Sequence, residues 1–346
     1  MKEYAVEIRS LTPIWTGNAQ RESPTLRETG IIGSLRWWYE ALIRGLGGYA
    51  CDPTNTKCKE KEHCDACELF GCTGWARKFR LEVNFNHKIP EIQIGTRMSH
   101  KKKYLKRSVS GFMSNEPIIL KFIPLRKITS NELTLLNATF KIIANYGAIG
   151  ARISQGNGVI EIVKNSLANN DEKVDKSGLR KIISHTINSP NLEHFFFYKF
   201  HIKFKEDINN LIENKVFGTH SPKHKKFKDN WGHWETLWED YHFLPIAFHI
   251  RDALRSLESN YNKRHTIFGE MGKGSKIFVS HGYKIDERTV EIRIWGHDLN
   301  DYLKENIKTN MEERINQMLF SKEENKLEFC DLKEEKSGKK LVEDLL

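Results

Sequence analysis

The stretch Gly147–Gly158 (GAIGARISQGNG) sets Gly147, Gly150, Gly156 and Gly158 around a single arginine, Arg152. It lies between a run that reads as a helix, Glu132–Tyr146, and one that reads as a strand, Val159–Val163. Glycine tolerates positive φ and has no Cβ, so such a loop lets the backbone approach a partner closely. Successive N–H groups in a loop of this kind suit an anion, most often a phosphate. No Lys-Ser or Lys-Thr closes the loop, so it is not a Walker A loop. Its helix-then-strand order also differs from a dinucleotide fingerprint. It points to a polymer backbone laid along a sheet edge, with Arg152 and Gln155 as polar contacts.

Cysteine supplies a second chemistry. Five of the six cysteines fall between Cys51 and Cys72, and Cys64–Cys67 is a C-x-x-C knuckle. That spacing turns two thiolates toward one tetrahedral ion at about 2.3 Å, and Cys51 and Cys58 can supply the other pair. Lys57, Lys59 and Lys61 would offset the charge of a four-thiolate zinc site. Cys72 or His63 could replace one ligand. Four sulfurs leave no open position, so the zinc would be structural. The polar segment Asp52–His63 has little apolar content and would take its shape from the metal. A thioredoxin-like redox role lacks the βαβ setting it needs. Cys330 stands apart and reads as a core residue.

Basic residues form two patches. Arg97, Lys101, Lys102, Lys103, Lys106 and Arg107 are interleaved with His100 and Tyr104, as a phosphate-contacting arm with a stacking ring would be. His220–Lys228 is the second patch. It leads into Trp231, Trp234 and Trp238, whose spacing suits a buried helix face. Gly33 and Ser34 read as a helix start whose free N–H groups face forward, with Arg36 one turn in. Arg36, Glu40 and Arg44 recur at helical spacing, so Arg36 and Arg44 either extend an anion site or pair with Glu40.

These residues must be positioned by regular elements. Tyr4–Leu11 alternates as a strand, and Gly33–Gly47 is a helix with Leu35, Trp38, Leu42 and Leu46 on one face. Lys78–Phe85 and Glu116–Pro124 are strands, with the basic arm as a long loop between them. Asn131–Tyr146 is a second helix and Val159–Val163 a last strand. The order β-α-β-β-α-β is the ferredoxin-like, RRM-like plan. Asn165–Lys176 lacks apolar anchors and reads as a linker, followed by a short helix over Ser177–Asn188. The plan then recurs in Phe195–Phe204, Leu244–Leu257, Ser275–Ser280, Thr289–Trp295, Leu299–Phe320 and Lys326–Leu332. The fold class is therefore α+β, with tandem ferredoxin-like domains over 1–164 and 190–346. A zinc-binding insert at 50–72 interrupts the first domain, and 165–189 joins the two.

The chain has 346 residues and a formal net charge of +10. Such a basic excess favours an anionic partner. No apolar run approaches the ~20 residues of a membrane span. The N-terminus starts directly in a strand pattern with no signal-peptide signature. A cytoplasmic setting is expected, where clustered thiols serve metals more often than disulfides.

Taken together, LTPIWTGNAQ, IIGSLRWWYEALIRGL, CELFGCTG and GAIGARISQGNGVIEI resemble the RAMP superfamily of CRISPR proteins. The chain looks most like the first RAMP subunit of the type III-B (Cmr) effector complex, densely over residues 4–163. The resemblance implies tandem ferredoxin-like domains that hold a CRISPR guide RNA near its 3′ end and its single-stranded target RNA. It implies other RAMP subunits as neighbours in antiviral defence. Gly33, Ser34 and Arg36 fall on the family's helix-start motif, and Gly147, Gly150, Arg152, Gly156 and Gly158 on its Gly-rich loop. Ser154–Gln155 departs from the basic cluster usual there. The aspartate-bearing loop used for target cleavage in the backbone subunits is missing, so binding without catalysis is expected. Two rivals remain at this stage. One is a metal-independent endoribonuclease processing guide precursors, with His100 or His224 as candidate. The other is a zinc-stabilised scaffold that contacts only protein.

Overall fold

A computed structural model describes the chain except residues 1, 21, 53–57, 59–62, 99–103, 168–172, 182–188, 218–230, 271–272 and 321–325. The first sheet is antiparallel and contains β1 (Tyr4–Ser10), β2 (Phe79–Val83), β5 (Ile118–Pro124) and β6 (Ile160–Asn165). Its spatial order is β2-β5-β1-β6. Helices α1 (Glu28–Gly45) and α3 (Ser130–Tyr146) make the crossovers, so the connection order is β-α-β-β-α-β. Two pieces are inserted: a short helix, α2 (Asp65–Phe70), and a hairpin of β3 (Ile92–Met98) and β4 (Tyr104–Val109).

Local sequence accounts for these elements. In β5 the side chains alternate, with Ile118, Leu120 and Phe122 inward, as the pleat requires. Helix α3 opens with a capping box in which Thr129 and Glu132 satisfy each other's backbone N–H groups. Such a cap contributes about 1 kcal/mol. The inward stripe of α1 is Leu35, Trp38, Tyr39 and Leu42, all fully buried. Each such side chain adds roughly 1.5–3 kcal/mol of burial.

The second sheet is built from β7 (Phe195–Phe204), β8 (Phe243–Leu244), β9 (Ile277–Val279), β10 (Gly282–Asp286), β11 (Thr289–His297) and β12 (Leu327–Ser337). Its order is β12-β7-β11-β10-β8, with β9 also paired to β11. Helices α4 (Ile208–Glu213) and α5 (Trp231–Glu239) precede β8, and α6 (Ala247–Ser256) and α7 (Tyr261–Phe268) follow it. Helix α8 (Asp301–Leu319) crosses between β11 and β12, and α9 (Gly338–Leu345) ends the chain. With β9 and β10 taken as one interrupted strand, connection order and strand order repeat those of the first sheet. As expected for a buried face, Trp234 and Trp238 of α5 are in the core.

Several expectations need correction. The stretch between β2 and β5 is a hairpin rather than one long basic loop. Its Ile92, Ile94 and Val109 pack into the core of the second unit. The segment after β6 is anchored, because Leu167, Val174 and Leu179 are buried in the first core. Within the expected helix at Ser177–Asn188, the described residues 177–181 are non-helical, and 182–188 lie outside the described residues. The second unit also reaches back: Leu341 and Val342 of α9 join the first core beside Phe195, Phe197 and Trp295.

The two units are stitched at the glycine-rich loop. Gly156 forms a parallel bridge to Ser280, and the His281 N–H donates to the Gly156 carbonyl at 3.2 Å. The Arg293 guanidinium donates to the carbonyls of Ile143 and Gly147 at 3.4 and 3.3 Å. A side chain at Gly156, where φ is +109°, would strike the Ala247 Cβ at 2.4 Å and the His281 ring.

Candidate functional site

Helix α1 begins at Glu28, so Gly33 and Ser34 sit in its second turn and not at its start. Their backbone N–H groups belong to the helix ladder, and the expected forward-facing donors do not exist there. Gly30, Gly33, Ser34 and Trp37 instead form a stripe along one side of α1 that lines a cavity of about 590 Å³. Gly150 and Ile153 of the glycine-rich loop form another wall, and Lys276, Phe278 and His297 of the second unit close it.

Arg36 and Arg44 are corrected too. They occupy the adjoining stripe of α1 and turn to the cysteine insert. Arg36 donates to Glu40 at 2.7 Å, to the Gly71 carbonyl at 2.6 Å and to Cys67 Sγ at 3.2 Å. Burial works against its charge, but Glu40 and Cys67 more than offset that and hold its pKa above the usual arginine value. Arg44 is buried and donates to the carbonyls of Ala50, Pro190 and Cys51. Burial raises the Glu40 carboxyl despite both arginines. Neither arginine is placed to meet an outside anion.

The glycine-rich loop is also differently used than its sequence suggests. Half of its twelve N–H groups have backbone acceptors within the protein: Gly147 to Ile142 and Ile143, Ile149 to Gly158, Ala151 to Trp15, Gln155 to Arg152, Gly156 to Ile153 and Gly158 to Pro13. Its glycines answer to packing. A Cβ at Gly147 would meet the Trp38 ring at 2.4 Å, and one at Gly158 the Ile149 carbonyl at 2.0 Å. The loop is therefore an open donor cradle only in part, since half of its donors and several of its glycines are used within the protein. It is a ridge at which three depressions meet. Gly150 and Ile153 face the cavity beside α1. Ser154 and Gln155 face a wider groove of about 860 Å³ that contains Arg107, Arg251, Arg255 and Lys273, with Asp252 and Glu270. Arg152, left-handed at φ 57°, stacks over the Trp15 ring at 4.0 Å and borders a third hollow with Lys88.

Of the expected basic arm, only Arg107 has a described side chain, and it lines the wide groove. Lys101, Lys102 and Lys103 lie outside the described residues, as do His100, His224 and the Lys225–Lys226 pair; Arg97 and Lys106 lie in the hairpin strands. Arg251, Arg255, Lys276 and His297 are groove and cavity residues that sequence reasoning missed. Arg251 and Arg255 come from α6, Lys276 from the segment before β9 and His297 from β11, and only the GEMGKG glycines beside Lys273 hinted at them. Arg251 is held by the carbonyls of Phe268 (2.5 Å) and Ile277 (3.3 Å). His297 Nδ1 pairs with Asp298 at 2.9 Å, while burial keeps the imidazole pKa below its ordinary value. In chemical terms the loop ridge, with cations on both flanks and an aromatic-walled cavity beside it, suits an extended anion carrying flat rings.

The cysteine insert is compact where it is described. The sulfurs of Cys51, Cys58, Cys64 and Cys67 lie within 4.8 Å of one another, and Cys51 and Cys67 are 3.6 Å apart. A tetrahedral four-sulfur site with bonds of about 2.3 Å puts its sulfurs about 3.8 Å apart. The four cysteines could hold a metal ion. The donors around them fit: the N–H groups of Cys64 and Cys67 point at Cys58 and Cys64 sulfurs at 3.4 Å, and Arg36 at Cys67. Neither alternative ligand joins the cluster. Cys72 is in a turn bridged to Trp75, and His63 pairs with Glu68 at 2.7 Å.

The fold and site define a mixed α/β protein of antiparallel sheets, with a cationic groove and a cysteine knuckle. Residues 7–161 match the family model described as the RAMP superfamily. No curated protein matches the chain. Among solved structures it is similar to Cmr1 from Pyrococcus furiosus in its apo form. That match has 13% identity and a TM-score of 0.42, over 87% of this chain and 89% of that one. It is also similar to a chain of the Type III-B Cmr-beta complex bound to cognate target RNA. There the identity is 10% and the TM-score 0.41, over 90% and 99% of the two chains. Likeness at this level carries no argument about fold or function. Among the described residues, no helix is long and apolar enough to cross a membrane.

Proposed function

We propose that this protein is a non-catalytic RNA-binding subunit of a type III-B CRISPR effector complex. It would hold guide RNA near its 3′ end and the target strand beside other RAMP subunits. The match of residues 7–161 to the RAMP superfamily model and the motifs of α1 and the glycine-rich loop support the class. The observation that carries the binding role is the ridge Gly150–Gln155, which stands between an aromatic-walled cavity and a groove lined by Arg107, Arg251, Arg255 and Lys273. Backbone contacts of this kind give affinity without sequence preference, and pairing between guide and target supplies the sequence. Both sheets are taken as ferredoxin-like units, in keeping with their matching strand orders. The metal is taken as one structural zinc ion on Cys51, Cys58, Cys64 and Cys67, because four sulfurs leave no open coordination position.

Fluorescence anisotropy with labelled single-stranded RNA across a salt series tests this. The logarithm of affinity should fall with the logarithm of salt by about 0.7 per phosphate neutralised. Arg107→Ala and Lys273→Ala should each weaken binding evenly across sequences and make that slope shallower by roughly one contact. An isolated chain with no RNA affinity would support a protein-only scaffold instead. Specific cleavage of labelled repeat RNA would overturn the non-catalytic role.

A further inference from the structure

The face beside the cysteine insert holds groups that the RNA groove does not use. At its centre is Trp75, in a turn that Cys72 and Trp75 close with two backbone hydrogen bonds of 2.9 Å. The His63 ring lies 4.3 Å from the Trp75 ring, and the Arg126 guanidinium lies over it, also at 4.3 Å. Arg126 also donates to the Ala76 carbonyl. Two donors of this stack, Trp75 Nε1 and Arg126 Nε, are buried without a hydrogen-bond partner. Buried polar atoms are nearly always paired, so the stack is short of acceptors. Leu125, next in the chain to Arg126, is a large apolar side chain left 53% exposed.

The charges around this stack do not balance. The acids are engaged within the protein: Glu68 and Glu132 each meet the buried Lys78 at 2.8 Å, Asp65 accepts the Arg180 N–H at 3.0 Å, and Asp175 accepts from Ser177 at 2.7 Å. Among the described residues, Arg77, Lys127, Lys176 and Lys181 have no ion pair. Arg77 precedes β2 and Lys127 follows β5, two strands that pair with each other. Lys176 lies in the segment that Asn131 ties to the start of α3 through Asp175, at 3.0 and 3.2 Å. Lys181 follows Arg180, which donates to the His63 carbonyl. All of these lie by the N-terminal end of α3, whereas the glycine-rich loop follows its C-terminal end. Seventeen helical residues hold the two ends about 25 Å apart.

We infer that this face docks an acidic segment of a partner protein, its carboxylates on Arg77, Arg126 and Lys127 and an apolar side chain on Leu125. Charge complementarity selects the acidic partner. Side-chain rotamers commonly change on docking, so Arg126 can turn its unpaired donor to a carboxylate. Two features favour protein over nucleic acid. Trp75 is half-buried and already stacked by two flat groups, so it offers no bare platform to a base. An exposed leucine beside arginine and tryptophan is the composition of a protein interface. The surface stands apart from the RNA-binding role proposed above and does not depend on it.

The test uses the full chain and fluorescein-labelled probes: a Glu-rich peptide with a central leucine, the same peptide with serine in its place, and a uridine oligomer. Anisotropy should show saturable binding of the leucine peptide and about tenfold weaker binding of the serine peptide, the effect of burying one leucine. Arg77→Glu combined with Lys127→Glu should weaken the leucine peptide by about tenfold, with melting temperature and metal content unchanged. Leu125→Ser should erase the difference between the two peptides, as a coupled pair requires. Arg107→Ala should weaken the uridine oligomer and leave the peptides alone, so failure of the RNA role and failure of this surface are read separately. Absence of saturable peptide binding, or wild-type peptide affinity in the charge-reversed variant, overturns the proposal. A charge-reversed variant that loses the uridine oligomer more than the peptide would make this face an RNA surface and overturn it as well.

Discussion

At the scale of single residues, Arg36 shows how one contact changes an assignment. Its sequence neighbours place it among the anion-binding groups, yet its guanidinium spans Glu40, the Gly71 carbonyl and Cys67 Sγ. A four-thiolate zinc site carries excess negative charge, and a guanidinium 3.2 Å from one sulfur offsets part of it. Groups that support metal ligands in this way typically change metal affinity by about 10–100-fold. Arg36→Ala should therefore weaken zinc retention by roughly that factor in a chelator competition. The RNA salt slope should stay at the wild-type value. A shallower slope with unchanged zinc affinity would return Arg36 to the RNA track.

At the scale of elements, α1 carries two tasks on adjoining stripes. Gly30, Gly33, Ser34 and Trp37 border the cavity, and Arg36, Glu40 and Arg44 brace the cysteine insert. The short helix α2 depends on the same cluster, because its N-cap is the Cys64 side chain, which accepts from the Cys67 N–H. Its six residues are too few to form a helix alone. Cys67→Ser should release the metal and raise hydrogen exchange across 50–72, while exchange in β1, β5, β7 and β11 stays slow. Metal analysis and exchange mass spectrometry check both parts. Full metal content in that variant, or loss of protection throughout the sheets, would refute the arrangement.

At the scale of the molecule, one of the joins between the two units is centred on the contact between Gly156 and His281. The His281 ring is fully buried and accepts the Ala247 N–H at Nδ1 (3.1 Å), so it is neutral there with its proton on Nε2. Burial, helped by nearby His249, lowers its pKa from 6.5 to about 3. In the unfolded chain the same ring takes up a proton below about pH 6.5. The stability this neutral ring confers is therefore present above pH 6.5 and is lost as the pH falls toward 3, by up to ~1.4 kcal/mol per pH unit. His281→Asn keeps an acceptor without a titrating group. Denaturant unfolding at pH 7 and pH 5 should show a smaller acid loss in that variant than in the wild type. Equal losses would mean that other groups set the acid limit.

The sequence alone determined what depends on near neighbours. The cysteine quartet was legible because a C-x-x-C knuckle sets two sulfurs by local geometry, and a polar insert offers few other reasons for two more. Helix α3 and the strands β1, β2, β5, β6, β7 and β11 were legible from apolar periodicity, which reflects one buried face per element. Hairpin β3–β4 was not, since its charged strand Tyr104–Val109 buries Val109 against another unit's core. Position in α1 misplaced Gly33 and Ser34, because the helix starts five residues before Gly33 without a side-chain cap to mark it. Only the tertiary structure decided which donors were already occupied. The loop's Ala151 and Gly158 N–H groups find carbonyls at Trp15 and Pro13, far away in the chain, and the groove's arginines come from β4 (Arg107) and α6 (Arg251 and Arg255). A local pattern shows that a backbone can be bare or a side chain charged. Whether either is free to meet a ligand depends on what long-range packing brings against it.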